Sequence, residues 1–148
     1  MRRARPEDIP VLVELMREMY AELASPMDPA AAARAFGELL DDPRLGRVFL
    51  IESGGDVAGY VAFTLGFTLQ YEGRDAFIDD LYLRPAYRDR GLGGDTLAAL
   101  EVEAAAMGAR AIHLEVADSN PRAKALYRRH GFEPHASRLM TRRLSGSC

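Results

Sequence analysis

The chain has 148 residues, a length typical of one domain, and its 48% hydrophobic and 28% charged residues are ordinary for a globular protein. Its 19 basic and 22 acidic residues give a net charge of −3, which argues against a general nucleic-acid-binding protein, because such proteins are usually basic. The only cysteine is Cys148, which excludes a disulfide framework within the chain and a cysteine-rich metal site. No segment approaches the roughly 18 apolar residues of a membrane span, and the N-terminal sequence lacks the apolar core of a signal peptide. We therefore expect a single domain over residues 1–148, in the cytoplasm, that binds neither nucleic acid nor membrane.

The first third of the chain predicts a short strand followed by two helices. Arg2–Arg5 has the pattern of a strand, and Pro6–Leu23 then has apolar residues at helical spacing. Asp28 is a suitable N-cap for a second helix that begins with Pro29, because its side chain can accept a hydrogen bond from a free N–H group of the first turn.

The rest of the chain alternates predicted strands and helices. The strands are Arg47–Glu52, Val57–Leu69, Asp75–Leu83, Ala111–Val116 and a final amphipathic Arg138–Leu144, and the helices are 91–108 and Pro121–His130. The resulting order is β-α-α-β-β-β-α-β-α-β, with hairpins first and a crossover between parallel strands later. This order predicts an α/β fold (α+β, with a mixed sheet) that has helices on both faces.

A glycine-rich loop joins the third long strand to the following helix. Its sequence is Arg88-Asp89-Arg90-Gly91-Leu92-Gly93-Gly94. A helix N-terminus offers free N–H groups and a partial positive charge, and glycines allow the backbone to approach a bound group closely. These features favour a pyrophosphate site, although glycines in a simple turn would give the same pattern. The loop lacks the Gly-Lys-Ser/Thr of a P-loop and the acidic partner of a dinucleotide fingerprint.

Two motifs in the chain resemble those of the GNAT superfamily of N-acetyltransferases. Arg88-x-x-Gly91-x-Gly93 is similar to that family's Arg/Gln-x-x-Gly-x-Gly/Ala signature, with Asp89 where a glycine is usual. The segment Asn120–Phe132 is similar to the family's Asn-x-x-Ala-x-x-Leu/Phe-Tyr-x-x-x-Gly-Phe. The resemblance extends over essentially the whole chain. It implies the GNAT acyl-CoA N-acyltransferase fold, in which the central sheet splays open between the strand before the loop and the strand after its helix.

The resemblance implies that acetyl-CoA binds in this splay. We expect no metal ion, because His113, His130 and His135 lack the spacing of metal ligands. Pantetheine would pair with free backbone groups of Leu81 and Leu83, as an added strand does. Backbone N–H groups from Arg90 through Gly94 would hold the pyrophosphate, Arg88 would close over it, and Asn120 would contact pantetheine. The implied cofactor-binding residues are Leu81, Tyr82, Leu83, Arg88, Arg90, Gly91, Leu92, Gly93, Gly94, Asn120 and Tyr127.

The resemblance also implies the catalytic residues. Tyr127 occupies the family's general-acid position, and a phenol with a pKa near 10 can donate a proton to a leaving thiolate. The backbone N–H of Leu81 would stabilise the oxyanion. Asp79 is the candidate base, because strand alternation places it on an apolar face, where burial raises the pKa of an acid. It also matches the glutamate of a Glu-Asp pair in the spermidine/spermine and thialysine N-acetyltransferases, the branch that the chain most resembles. Asp80, Glu115 and a water relay are the alternative routes for the proton.

The implied reaction is acetyl transfer from acetyl-CoA to a primary amine by direct attack in a ternary complex. Seven acidic residues border the splayed strand and the first inter-helix loop, and they would attract a cationic acceptor. They are Glu18, Glu22, Asp28, Glu72, Asp75, Asp79 and Asp80. We expect a small cationic amine. The alternative acceptors are a protein N-terminus, a lysine side chain and an aminoglycoside. The alternative function is that of a sensor domain that binds acyl-CoA without turnover.

The final strand, Arg138–Leu144, could pair across a two-fold axis, so we expect a homodimer.

Overall fold

The computed structural model describes residues 1–144, which form a five-stranded mixed sheet with a pair of helices on each face. In spatial order, the strands are β1 (Arg2–Arg3), β2 (Gly46–Ser53), β3 (Asp56–Thr68), β4 (Gly73–Leu83) and β5 (Ala109–Leu114). The helices are α1 (Ile9–Glu22), α2 (Pro29–Asp41), α3 (Leu92–Ala106) and α4 (Pro121–Arg129). Neighbouring strands are antiparallel except β4 and β5, which are parallel. The predicted mixed α/β fold is confirmed. None of the helices in residues 1–144 is long and apolar enough to cross a membrane.

The local sequence explains where the first two helices begin. Asp28 caps α2 as predicted, because its Oδ1 accepts a hydrogen bond from the N–H of Ala30 at 3.0 Å. The first helix starts later than predicted. Pro6–Asp8 forms a separate 3-10 turn, in which the Asp8 carboxylate accepts from the N–H of Arg5 at 2.8 Å, and α1 begins at Ile9.

Each face of the sheet packs on its own pair of helices, and β4 contributes to both cores. Tyr82 lies in the core beneath α1 and α2. Ala76 and Ile78 lie in the core beneath α3, and Leu81 and Leu83 pack against that same core. Even-numbered residues thus face α3 in the first half of β4, and odd-numbered residues do so in the second half.

This change of parity comes from a β-bulge at Asp79. Asp80 lies opposite Ala62 of β3 and Ile78 lies opposite the next residue, Phe63, so Asp79 is an additional residue with no partner on β3. The predicted alternation, which ran unbroken through Asp79, is wrong at this point, because a bulge moves every later residue to the other face.

The strands β4 and β5 pair over only part of their length. Their pairing runs from Arg74–Ala109 to Ile78–Leu114, and residues 79–83 of β4 have no partner on that side. The sheet therefore opens where the family resemblance implied a splay, with the Asp79 bulge directly beyond the last pair.

The predicted final strand, Arg138–Leu144, is not formed. Residues 133–144 are exposed, and adjacent Leu139 and Met140 are 70% and 92% exposed. Two adjacent apolar residues point to opposite sides of a strand, so this segment has no single apolar face to bury. Phe132 packs edge-on against Tyr127 of α4, with ring centres 5.8 Å apart.

Candidate active site

The open edge of β4 presents the backbone groups of alternate residues. The N–H of Arg84 donates to the carbonyl of Ala58 on β3 at 2.8 Å. Alternate residues of an antiparallel strand bond to the same neighbour, so Tyr82 also bonds to β3, and Leu81 and Leu83 direct their N–H and C=O groups to the open edge. Two of the three strand residues implied for cofactor binding thus lie at the opening, and Tyr82 does not.

The N-terminus of α3 has free backbone donors. Its N-cap, Gly91, has φ +82°, and no side chain in the described part of the protein caps the helix. The N–H of Asp95 makes the first helical hydrogen bond of α3, to the carbonyl of Gly91. The N–H groups of Leu92, Gly93 and Gly94 precede it and therefore have no carbonyl partner within the helix. Free donors at the positive end of a helix dipole form an anion site.

Close packing with α4 explains two of the glycines in this turn. A Cβ on Gly93 would lie 3.0 Å from Cδ2 of Leu126 and 3.9 Å from Cδ1 of Leu83, and a Cβ on Gly94 would lie 2.8 Å from Nε2 of His130. The expectation was that these glycines let the backbone approach a bound group. In the structure their missing side chains make room for α4, and they hold the start of α3 beside the end of β4.

The two arginines of the loop take different positions. Arg88, which the resemblance placed over the pyrophosphate, instead binds both carboxylate oxygens of Glu22 through Nη2, each at 2.8 Å, and donates from Nε to the carbonyl of Leu83 at 2.8 Å. Arg90 is exposed on the loop, with its guanidinium 5.7 Å from the ring centre of Tyr87.

The start of α4 lies next to the loop. Asp89 has a left-handed backbone (φ +60°), and its carboxylate pairs with Nη2 of Arg122 at 2.9 Å. The charge of Asp89 is thus partly neutralised, although it occupies a place where the resembling family usually has glycine. Asn120 caps α4, because its Oδ1 accepts from the N–H of Ala123 at 3.1 Å.

Tyr127 is half-buried on α4, and burial raises the pKa of its hydroxyl. It lines an open cleft of about 1220 Å³ along β5. Glu115, which directly follows β5, lines the same cleft, and Asp79 does not. The structure therefore brings Tyr127 and Glu115 to one cleft and leaves Asp79 at the bulge of β4.

Asp79 and Asp80 are adjacent carboxylates with different surroundings. The side chain of Asp79 is exposed, yet the protein around it removes enough hydration to raise its pKa. Asp80 accepts a hydrogen bond from the hydroxyl of Tyr60 at 2.9 Å. Burial raises the pKa of Asp80, the hydrogen bond from Tyr60 opposes that shift, and the charge of Asp79 adds to it. Sequence reasoning missed Tyr60, and only the pairing of β3 with β4 could have identified it.

Most of the acidic residues expected to form a negative rim have partners. The pairs are Glu18–Arg84, Glu22–Arg88 and Asp75–His113, and Asp28 caps α2. The carboxylates left without a cationic partner at the splay are those of Asp79 and Asp80.

Among residues 1–144, no group of three or more His, Cys, Asp or Glu side chains could hold a metal ion.

Comparison with known proteins gives consistent matches over most of the chain. The family model for the acetyltransferase (GNAT) family matches residues 12–132. Thialysine N-epsilon-acetyltransferase of Bos taurus is 28% identical over 142 residues, covering 90% of this chain and 83% of that protein. A protein of Bacillus subtilis (strain 168), provisionally named as the alanine N-acetyltransferase of ribosomal protein bS18, is 32% identical over 135 residues, covering 90% and 80%. A crystal structure from Clostridium acetobutylicum, described as a predicted acetyltransferase with acetyl-CoA, has a TM-score of 0.81 at 20% identity, covering 95% of this chain and 94% of that one.

Proposed function

The chain belongs to the GNAT family of acetyltransferases, and we propose that it transfers the acetyl group of acetyl-CoA to a small cationic primary amine by direct attack in a ternary complex. N-acetyltransferase activity follows from the family and from the relatives. The proposal concerns the identity of the acceptor and the residues that bind acetyl-CoA and carry out the reaction. The main support is the open edge of β4 beside the uncapped N-terminus of α3. An extended arm can pair with such an edge, and a pyrophosphate at its end can bind the free N–H groups.

The donors and acceptors at the splay fit acetyl-CoA. The backbone groups of Leu81 and Leu83 would pair with the amides of the pantetheine arm, and the N–H groups of Arg90–Gly94 would hold the pyrophosphate, with the Arg90 guanidinium adding positive charge. The Oδ1 of Asn120 already caps α4, so its Nδ2 is the group left for pantetheine. The acetyl-CoA complex from Clostridium acetobutylicum, which has this fold, supports the assignment.

Three groups of the chain would carry out the chemistry. When bound, acetyl-CoA supplies the thioester carbonyl that a neutral amine attacks. Asp79 takes the proton of the ammonium, and its raised pKa makes it a stronger base than an ordinary aspartate. The N–H of Leu81 stabilises the oxyanion, and Tyr127, whose raised pKa keeps the hydroxyl protonated, donates its proton to the departing thiolate as the C–S bond breaks. The nitrogen that has formed the new C–N bond releases its second proton to solvent, and solvent returns a proton to Tyr127.

Glu115 is the second candidate for the base. It follows the last β4–β5 pair, Ile78–Leu114, on the β5 side, and it shares the cleft of Tyr127. Its position therefore mirrors that of Asp79 on the other side of the opening.

Two relatives support two acceptor classes. The carboxylates of Asp79 and Asp80 and the similarity to the thialysine enzyme favour a small amine with a positive charge. The similarity to the bS18 alanine N-acetyltransferase favours a protein N-terminus. We put the small amine first, because the unpaired negative charge lies at the splay itself.

A release assay tests the function. The protein is incubated with acetyl-CoA and one candidate acceptor at a time, drawn from diamines, amino acids, aminoglycosides and peptides with free N-termini, and the release of free thiol is measured. We expect turnover with at least one small cationic amine. Turnover with peptides alone would show that the acceptor is a protein N-terminus and not a small amine. CoA binding with no thiol release in the presence of any acceptor would favour the sensor alternative.

A further inference from the structure

Arg88 joins α1 to the edge of β4 that is proposed to bind pantetheine. Its Nη2 lies 2.8 Å from both carboxylate oxygens of Glu22, in the last turn of α1, and its Nε donates to the carbonyl of Leu83 at 2.8 Å. Its guanidinium lies 5.6 Å from the ring centre of Tyr82, whose hydroxyl donates to Glu22 at 3.0 Å. Glu22 thus binds Arg88 directly, and it also holds Tyr82, whose ring lies near the Arg88 guanidinium.

The carbonyl of Leu83 is the point of conflict. It faces the open edge of β4, where the proposed function pairs it with an amide of pantetheine. In the structure it is already hydrogen-bonded to Arg88, and Arg88 is held there by a charge-assisted pair with Glu22. Both side chains of the pair are partly exposed, so the pair is of modest strength and can be broken by a ligand.

A second bridge of the same kind lies one turn earlier on α1. Glu18 binds Nε and Nη2 of Arg84 at 2.8–3.2 Å. The remaining side-chain contact of Arg84 is from Nη1 to the carbonyl of Val57 at 3.1 Å, which lies on β3 and away from the open edge. The protein therefore contains a matched pair of bridges, of which only one involves the open edge.

We propose that Glu22 is a positioning residue that holds Arg88 on the carbonyl of Leu83, and that acetyl-CoA must displace this contact to bind. The inference rests on the proposed function, because it takes Leu83 as a pantetheine contact. It follows that the last turn of α1 partly determines the affinity of the enzyme for its cofactor.

The test is the affinity of Glu22→Gln for two ligands, measured by calorimetry. CoA contains the pantetheine arm, and 3′-phosphoadenosine 5′-diphosphate is the same molecule without it. We expect Glu22→Gln to bind CoA about two- to fivefold more tightly than the parent, the range expected for loss of one exposed ion pair. Its affinity for 3′-phosphoadenosine 5′-diphosphate should be unchanged, because that ligand does not reach Leu83.

Glu18→Gln is the matched control, since it makes the same charge change on the same helix, and we expect it to leave both affinities unchanged. Unchanged or weaker CoA binding by Glu22→Gln would overturn the inference, because a merely structural Glu22 predicts weaker binding. Equal tightening for both ligands, or in both variants, would also overturn it, since a general charge effect would then explain the gain. A parent protein that does not bind CoA would instead contradict the proposed function.

Discussion

Asp79 lies at a β-bulge, and its carboxyl group has a raised pKa. The bulge leaves Asp79 unpaired with β3 directly beyond the last β4–β5 pair, and reduced hydration raises its pKa. Its neighbour Asp80 is held by Tyr60, which restricts that carboxylate to one position. Asp79 is thus the freer of the two to exchange a proton with an acceptor.

Replacing Asp79 by Asn should lower kcat/KM most at intermediate pH, above the raised pKa of Asp79 and below the pKa of the amine. There the amine is cationic and needs a base, whereas free amine is abundant at high pH and the variant should approach the parent. Because the pKa of Asp79 is raised, the parent itself should lose activity as falling pH protonates this carboxyl, and the Asn variant should lack that loss. Rate profiles against pH for both proteins provide the measurement.

Asp80→Asn is the control for this profile. It should raise KM for cationic acceptors without changing the shape of the pH profile, since Asp80 contributes charge and not proton transfer. An Asp79→Asn deficit that stays constant to high pH would indicate a positioning role. A parent-like Asp79→Asn together with a severely impaired Glu115→Gln would move the base to the β5 side of the splay.

Removing the hydroxyl of Tyr127 should separate chemistry from binding. Tyr127→Phe should lower kcat by about 10²–10⁴, the usual contribution of a general acid, because the thiolate then leaves without a proton donor. The affinity for acetyl-CoA should change little, since the ring and its contact with Phe132 are kept. An unchanged kcat, with acetyl transfer shown to be rate-limiting, would assign the proton to solvent.

Among the elements, those set by local sequence could be predicted, and those set by tertiary contacts could not. The start of α2 follows from Asp28 and Pro29, and the loop before α3 is evident from its glycines and motif. The bulge at Asp79 depends on pairing with β3, which no local pattern shows. The Glu22–Arg88 bridge joins residues 66 apart in sequence, and it redirects an arginine that the motif alone would place over the pyrophosphate.

The N-terminal turn of α3 can be tested through Arg90. A glutamate at Gly93 would be a poor probe, because its Cβ would press on Leu126 and disturb α4. Arg90→Glu instead reverses an exposed charge on the loop, and we expect it to weaken CoA binding by on the order of tenfold, as for loss of a hydrogen bond to a charged group. Arg34→Glu, at an exposed position on α2, is the matched control. Equal affinities in the two variants would show that the loop does not contact the pyrophosphate.

For the whole molecule, the order of elements was predictable as far as α4, and the C-terminal segment was not. Periodicity gives the strands and helices of residues 2–130, and their order gives the mixed sheet. The expected strand Arg138–Leu144 had an amphipathic appearance, but neighbouring Leu139 and Met140 leave it without one apolar face. Whether such a segment pairs depends on a partner, and the sequence of one chain does not supply that information.

We still expect a homodimer. Leu139, Met140 and Leu144 are 70%, 92% and 85% exposed, and covering them would bury apolar surface that the single chain leaves in water. Sedimentation equilibrium at tens of micromolar protein should give twice the chain mass of 16.3 kDa. A mass near 16.3 kDa under those conditions would contradict the dimer.

The account depends most on the open edge of β4 as the cofactor site, and amide hydrogen exchange of Leu81 with and without CoA tests this most directly. The N–H of Leu81 faces the opening, whereas that of its neighbour Tyr82 bonds to β3, so Tyr82 is an internal control on the same strand. We predict that saturating CoA slows exchange at Leu81 far more than at Tyr82, with a parallel slowing at Gly93. Unchanged exchange at Leu81, while calorimetry shows CoA bound, would place the cofactor elsewhere and contradict the account.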